Sequence, residues 1–305
     1  MTATMTGFCR SLNFPAARAD GSDFRPEFCW KVRGHEERFS MRLPVLLLAA
    51  ALIWTPAVHA QDVGDLLTER GLTGTLVVER LSDGRRWTAN RERAEERFVP
   101  ASTFKIPNSL IILETGVVAD PDTEFLTWDG TARGGNWDQD QNLRLGFARS
   151  AVWAYQEWAR RVGHERMTNH VAAIGYGNGD IGPAAQVDQF WLTGPLEISA
   201  REEVDFLTRL HRRDLPFRAE VMETVIDLME RDRGAGWVLR GKSGWALRDG
   251  ADLGWFVGWL ETPDDVYVFA LNIDMATPEH DRHLREPLAR AALEHVTGLT
   301  LGSGD

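Results

Sequence analysis

Apolar and polar positions along this chain keep two rhythms in turn. Gly74-Thr-Leu-Val-Val-Glu-Arg-Leu81 is a short apolar run rich in β-branched residues, which predicts a strand. Ser82-Asp83-Gly84 is a turn signal, and Arg86 to Ala89 can return as a second strand. The rhythm then lengthens. A helix is predicted near 103–115, followed by a polar, Gly-rich stretch from Asp129 to Asn142 and helices near 149–162 and 165–174. Gly175 to Ala185 is irregular. Ser199 and Glu202 have the spacing of a capping box, so a helix is expected from there to about His211, and another from Arg218 to Glu230. The strand rhythm returns in Trp237–Gly241, Leu253–Glu261 and Val266–Ile273, whose short connections predict antiparallel neighbours. Thr277-Pro278-Glu279 then opens a last helix to about Val296, with proline at its first position. This order predicts an α+β fold. An antiparallel β-sheet joins strands from both ends of the chain, helices flank it, and a helical insertion separates the two sets of strands.

Residues 1–40 show no such rhythm and are expected to be poorly structured. Met41 and Arg42 form a short basic start, Val45 to Trp54 an apolar run, and Val58-His59-Ala60 a small-residue cleavage site. That is the layout of a secretory signal peptide over 41–60, with an apolar run too short for the roughly 20 residues a bilayer span needs. Translation is therefore expected to start at Met41, leaving residues 61–305 as one exported domain with the periplasm as its destination. Cys9 and Cys29 both precede Gln61, so no disulfide is expected in that domain. No cysteine stands at the cleavage site to carry a lipid, so no membrane anchor is expected.

Composition sharpens the picture in one respect. The chain is 43% hydrophobic and 26% charged, ordinary for a globular protein, and its net charge of −11 excludes a general basic footprint for nucleic acid. Its positive charge, however, is almost all arginine: the lysines are Lys31, Lys105 and Lys242 against 31 arginines. A chain that uses arginine for plain charge calls for a chemical reason at each lysine. Two metal patterns fail on inspection. His280 and His283 have no evident third ligand, and Asp138-x-Asp140-x-Asn142 lacks the glycine and glutamate of a calcium loop. No metal is expected.

Ser102-Thr103-Phe104-Lys105 places a hydroxyl and an amine one turn apart at the start of a helix. Serine becomes a nucleophile when a base takes its proton, and lysine can be that base only when burial lowers its pKa from about 10.4. Arginine cannot serve, because it stays protonated. Alone, this spacing also fits a capping serine beside a surface lysine, but Phe104, Ile106, Leu110, Ile111 and Ile112 make the segment strongly apolar. Lys242-Ser243-Gly244 falls at the end of a predicted strand, where the glycine permits close approach of a ligand and the ammonium and hydroxyl suit a carboxylate. Tyr176-Gly177-Asn178 and Ser150-Ala151-Val152 mean little in isolation.

Taken in order, these four motifs resemble the class D β-lactamases (oxacillinases) among the penicillin-recognising serine enzymes. Gln189-Phe-Trp-Leu192, Gly194-Pro-Leu-Glu-Ile-Ser199 and Gly254-Trp-Phe-Val-Gly-Trp259 extend the resemblance over about residues 65–297. It implies that Ser102 is acylated by a β-lactam, and that Lys105, carboxylated by carbon dioxide, is the base. It implies that the Trp191 indole N–H supports that carbamate and that Val152 seals the pocket. Ser150 relays a proton to the leaving nitrogen, and Lys242 belongs to the catalytic set. The backbone N–H groups of Ser102 and Trp245 form the oxyanion hole. Ser243 and Arg285 hold the substrate carboxylate, with Tyr176, Asn178 and Gly244 among the substrate-binding positions. No other cofactor is implied, and the state would be monomer or homodimer.

Three departures from the family stand out. Lys-Ser-Gly replaces Lys-Thr-Gly, the stretch from Asn178 to Trp191 is somewhat longer, and Trp245 is bulky. Ser-Ala-Val in place of Ser-Asp-Asn does not indicate the class A route through a glutamate base. Two alternatives share the motifs: a β-lactam sensor domain acylated without turnover, and a D-Ala-D-Ala peptidase.

Overall fold

The computed structural model describes residues 63–302. The expected leader, its cleavage site and both cysteines lie outside the described residues. Among the described residues no helix is long and apolar enough to cross a membrane.

The described residues begin with a short helix α1 (Asp65–Thr68), the hairpin β1 (Gly74–Arg80) and β2 (Arg86–Ala89), helix α2 (Arg91–Glu95) and a two-residue strand β3 (Arg97–Phe98). A 3₁₀ turn, Ala101–Phe104, runs directly into α3 (Lys105–Glu114). The helical middle holds α4 (Leu143–Arg149), α5 (Val152–Val162) and α6 (His164–Ile174). Strand β4 (Ile198–Ser199), which pairs with β3, leads into α7 (Ala200–His211) and α8 (Ala219–Leu228). Strands β5 (Glu230–Gly234), β6 (Trp237–Ala246), β7 (Asp252–Glu261) and β8 (Val266–Met275) follow, then α9 (Pro278–Asp281) and α10 (Arg285–Thr297).

The main sheet has the order β2-β1-β8-β7-β6-β5, with every neighbour antiparallel. The strand after the first hairpin in space is therefore the last strand in sequence, as the two-ended apolar pattern requires. Both faces are buried. Val77, Val257 and Ala270 turn towards a core shared with α3, α5 and α7, while Leu76, Phe256 and Phe269 turn towards α10. Adjacent residues of one strand thus enter different cores, which is the two-residue alternation of a pleated strand. It also explains why β7 and β8 read as continuous apolar runs rather than alternating ones.

Four expectations are corrected. The helix expected over 149–162 is α5, which starts at Val152, and a further helix, α4, precedes it, the two separated where Ser150 takes a left-handed conformation (φ 60°). The helix expected to reach Glu230 stops at Leu228, and the charged run Glu230–Gly234 becomes an edge strand, where solvated side chains suit an open edge. Strand β6 continues to Ala246, so Lys242-Ser243-Gly244 lies inside the strand and not at its end. The final helix is interrupted, with α9 and α10 separated by Arg282–Leu284. The Thr277 side chain does not cap α9; instead the Asp281 carboxylate accepts from the Thr277 backbone N–H.

One detail of the sheet shapes the site. Strand β5 pairs with β6 only over Trp237–Arg240. From Lys242 to Ala246, β6 has β7 on one side and no strand on the other.

Candidate active site

The turn that carries Ser102 is built on a kink. Ala101, just before Ser102, has φ 49°, a left-handed conformation that costs an L-residue roughly 1–2 kcal/mol. The kink delivers Ser102 to the first turn of a buried helix, partly exposed, with Lys105 fully buried one turn later. Lys105 Nζ donates to Ser102 Oγ at 3.0 Å. Burial alone pushes the Lys105 amine down to about 7, so near neutrality much of it is unprotonated. The Lys105 nitrogen sits 4.9 Å from the centre of the Tyr155 ring. That ring is fixed by a 2.7 Å hydrogen bond between its hydroxyl and Ser109, whose Oγ also lies 2.7 Å from the Lys105 carbonyl.

Strand β6 packs directly against this turn. A Cβ at Gly244 would lie 2.9 Å from the Pro100 carbonyl oxygen and 3.2 Å from Thr103 Cγ2. The glycine therefore makes room for the protein's own Ser102 turn, a correction to the expectation that it makes room for ligand. Two residues earlier, and on the same face, Lys242 Nζ donates to Ser150 Oγ and to the Ser243 carbonyl, each at 3.0 Å. The Lys242 amine is also pushed down, by burial and then by the charge of Lys105 and of two arginines. Neither lysine has a carboxylate partner among the described residues. Two buried ammonium groups without an anion are electrostatically unfavourable, and one added negative charge would relieve both.

Trp191 supplies a second sign of a missing partner. It is fully buried, stacked on Phe104 at 5.7 Å between ring centres, and its indole N–H has no hydrogen-bond partner among the described residues. A buried donor without an acceptor costs about 1–3 kcal/mol, and such groups call for an explanation.

Other expected residues divide between the site and the scaffold. Ser243 and Arg285 meet in a surface cleft of about 980 Å³, with Arg231, Arg282 and Phe256 also on its walls. The cleft does not include Ser102. By the pleat, Ser243 and Trp245 lie on the face of β6 opposite Lys242 and Gly244. The Arg285 guanidinium donates to the Gly244 carbonyl and has no carboxylate partner among the described residues. Burial and the neighbouring arginines lower its pKa to about 10. Trp245 is anchored, its indole donating to Asp252 at 2.8 Å with Arg282 5.8 Å from its ring centre. Val152 begins α5, partly exposed, two residues after Ser150.

One expected substrate contact, Tyr176, is corrected, and a second, Asn178, has its amide engaged by protein. Tyr176 is fully buried and its hydroxyl donates to Glu203 at 2.7 Å, so it touches protein on all sides. Asn178 is exposed, but its amide bonds the Pro195 carbonyl at 2.7 Å and the Glu197 N–H at 3.2 Å, closing a loop on itself.

The sequence reading passed over Glu203. It is buried on α7, accepts from Tyr176, lies 3.0 Å from the Thr103 hydroxyl, and is pushed up to about 7 by burial. A signal was present: Glu203 falls in register with the apolar residues Leu207 and Leu210 of α7, where a charged residue is out of place. Tyr155, beneath Lys105, had no signal beyond its place in an apolar stripe.

The penicillin binding protein transpeptidase domain family matches residues 74–294. Beta-lactamase OXA-20 of Pseudomonas aeruginosa is 39% identical over 83% of this chain and 96% of that protein. Beta-lactamase OXA-2 of Salmonella typhimurium is 40% identical over 79% of this chain and 86% of that protein. Among solved structures, the class D β-lactamase YbXI from Nostoc superposes with a TM-score of 0.75 at 43% identity, covering 78% of this chain and 99% of that one.

Proposed function

Because this chain belongs to the penicillin binding protein transpeptidase family, as a class D serine β-lactamase, we propose that it hydrolyses β-lactam antibiotics through an acyl-enzyme on Ser102, with N-carboxylated Lys105 as general base, and so confers resistance. Two observations support the mechanism: the buried Lys105 amine, about half of it neutral near pH 7, and the buried Trp191 N–H, which lacks an acceptor among the described residues. Carboxylation requires a neutral amine and creates an anion. The indole N–H would hold that anion, and Lys242 would face it as a cation. Carboxylated, Lys105 would supply an anionic oxygen able to accept the Ser102 proton; that proton would pass on to restore Ser150 after it protonates the leaving nitrogen, freeing the base to accept a proton from water.

The remaining steps rest on this chain's own residues. Ser102 Oγ attacks the lactam carbonyl carbon, and the backbone N–H groups of Ser102 and Trp245 receive the developing oxyanion. As the C–N bond breaks, Ser150 gives its proton to the nitrogen. Its oxygen already accepts from Lys242, which leaves its own hydrogen free for this task and places a donor behind it. Arg285 and Ser243 hold the substrate carboxylate at the unpaired edge of β6, since Arg285 is a cation without an anionic partner. Water then releases the acyl group and frees Ser102. The product acts outside the cytoplasm, in the periplasm, once the leader over 41–60 is removed.

Nitrocefin hydrolysis by the purified chain from Gln61 onward tests this reading. Multiple turnovers per site support it. A stable acyl-enzyme without release would leave a β-lactam sensor in its place.

A further inference from the structure

The nucleophile turn has a holder outside the residues that touch substrate. Thr103 follows Ser102 directly and is fully buried. Its backbone N–H donates to the Pro100 carbonyl at 3.2 Å, and its hydroxyl lies 2.9 Å from the same carbonyl and 3.0 Å from Glu203 Oε1. Pro100 and Thr103 thus bracket Ala101, the residue forced into the left-handed region. A strained backbone persists only where its surroundings over-determine it. Here the bracket is closed from α7 by one carboxyl group.

The same oxygen of Glu203 accepts from the Tyr176 hydroxyl at 2.7 Å. Tyr176 and Trp191 both contact the Phe104 ring, at 5.6 and 5.7 Å between centres. One buried oxygen therefore ties the nucleophile turn to the segment that leads towards Trp191. No basic side chain pairs with Glu203 among the described residues, and its second oxygen has no partner. An ion-pair role is absent, and a hydrogen-bonding role remains. Keeping a carboxyl group buried in this way costs stability, so its retention points to what it positions.

Resting on Ser102 as the acylated nucleophile, we propose that Glu203 is a positioning residue for acylation: through Thr103 and Tyr176 it clasps the kinked turn that aims Ser102. It touches neither substrate nor reacting atoms. Loss of the clasp lets the turn relax away from the attack geometry, and a displacement of about 1 Å can cost up to about 100-fold in rate.

The test uses the mature chain and the variants E203Q, E203L and T103V. Saturating fluorescent penicillin counts the active sites, and rapid-quench measurement then gives the acylation rate constant per labelled site. A merely structural residue changes the number of folded sites and the Tm but not this constant. E203L and T103V are expected to acylate at least about tenfold more slowly per site. E203Q, whose amide carbonyl still accepts from both hydroxyls, is expected to stay within about threefold of wild type. The proposal is overturned when E203L or T103V acylates at the wild-type rate, or when E203Q is as slow as E203L. Should E203L fail to fold, T103V and E203Q decide. A wild-type chain that takes no label at all would overturn the assignment of Ser102, and the clasp with it.

Discussion

Lys242 Nζ donates to Ser150 Oγ at 3.0 Å, joining strand β6 of the main sheet to the break between two helices 92 residues earlier. Ser150 is held there by a left-handed backbone, φ 60°, which glycine adopts without cost and alanine does not. The pair S150G and S150A therefore separates chemistry from conformation. Both remove the hydroxyl, and both are expected to lower kcat/KM by roughly 10²–10⁴-fold, the usual range for a lost proton relay. Serine and alanine share the Cβ that makes this conformation costly, so S150A should melt close to wild type, while S150G should be more stable than S150A by about 1 kcal/mol. Steady-state kinetics beside thermal melts check this. Near-wild-type activity in S150G would remove Ser150 from the mechanism.

The base is tested by pH and by bicarbonate. Lys105 has its pKa pushed down to about 7, so its neutral form is lost as pH falls through 7 and carboxylation is lost with it. Activity should decline below pH 7 in bicarbonate-depleted buffer and recover when bicarbonate is added. K105R keeps a positive charge but cannot be deprotonated, so it should not turn over at any bicarbonate concentration. Activity indifferent to bicarbonate across the whole pH range would sink the carbamate.

Trp191 makes the carbamate a matter of one hydrogen bond. W191F keeps a ring on Phe104 but deletes the N–H that lacks an acceptor. A hydrogen bond to a charged group contributes about 1.5–3 kcal/mol, which corresponds to roughly 10–100-fold in the affinity of Lys105 for carbon dioxide. The bicarbonate concentration giving half-maximal activity should rise by that factor. An unchanged half-maximum would show that the indole N–H serves something else.

How much of this could be read from the residues depends on the range of the interaction. The sheet, its antiparallel order and the capping box at Ser199 follow from local pattern, and they stand as expected. Lys105 was singled out because arginine cannot replace it, and its burial follows from the apolar residues beside it. What pattern missed depends on contacts between distant segments. Gly244 looked like a ligand contact because nothing in its own strand reveals that Pro100 lies 2.9 Å from its missing Cβ. Tyr176 looked like a substrate contact because its partner, Glu203, comes 27 residues later on another element. Helix α4 was missed because no glycine or proline marks its end; the left-handed residue that separates it from α5 is a serine placed by tertiary contacts.

Gly244 yields a prediction of its own. In G244A the added methyl meets the Pro100 carbonyl at 2.9 Å and Thr103 Cγ2 at 3.2 Å, and neither is the far end of a flexible side chain. The turn must move off the strand, at a cost of about 1–3 kcal/mol. Acylation should slow in the same variant, because the turn that moves carries Ser102. Unfolding by urea and acylation by a fluorescent penicillin measure the two effects. A G244A chain that loses stability but acylates at the wild-type rate would show that the turn shifts without displacing Ser102.

Burial of Lys105 carries a stability signature opposite to that of a paired lysine. Its pKa is near 10.5 when unfolded and about 7 when folded, so between those values the unfolded chain binds a proton that the folded chain does not. Wild-type stability, measured without carbon dioxide, should therefore rise as pH increases from 7 towards 10.5, and the penalty should be full below 7. K105M keeps the length of the side chain and removes the titrating group. It should be more stable than wild type at pH 6, by up to about 5 kcal/mol, with the gap narrowing as pH rises above 7. Adding bicarbonate to wild type at pH 7.5 should narrow the gap as well, because a ligand that binds only the folded chain stabilises it, and K105M has no amine to modify. Denaturant titrations of both chains across this pH range decide the point. A gap that stays constant with pH would mean that Lys105 remains protonated in the folded chain, and the neutral amine on which the mechanism depends would be lost.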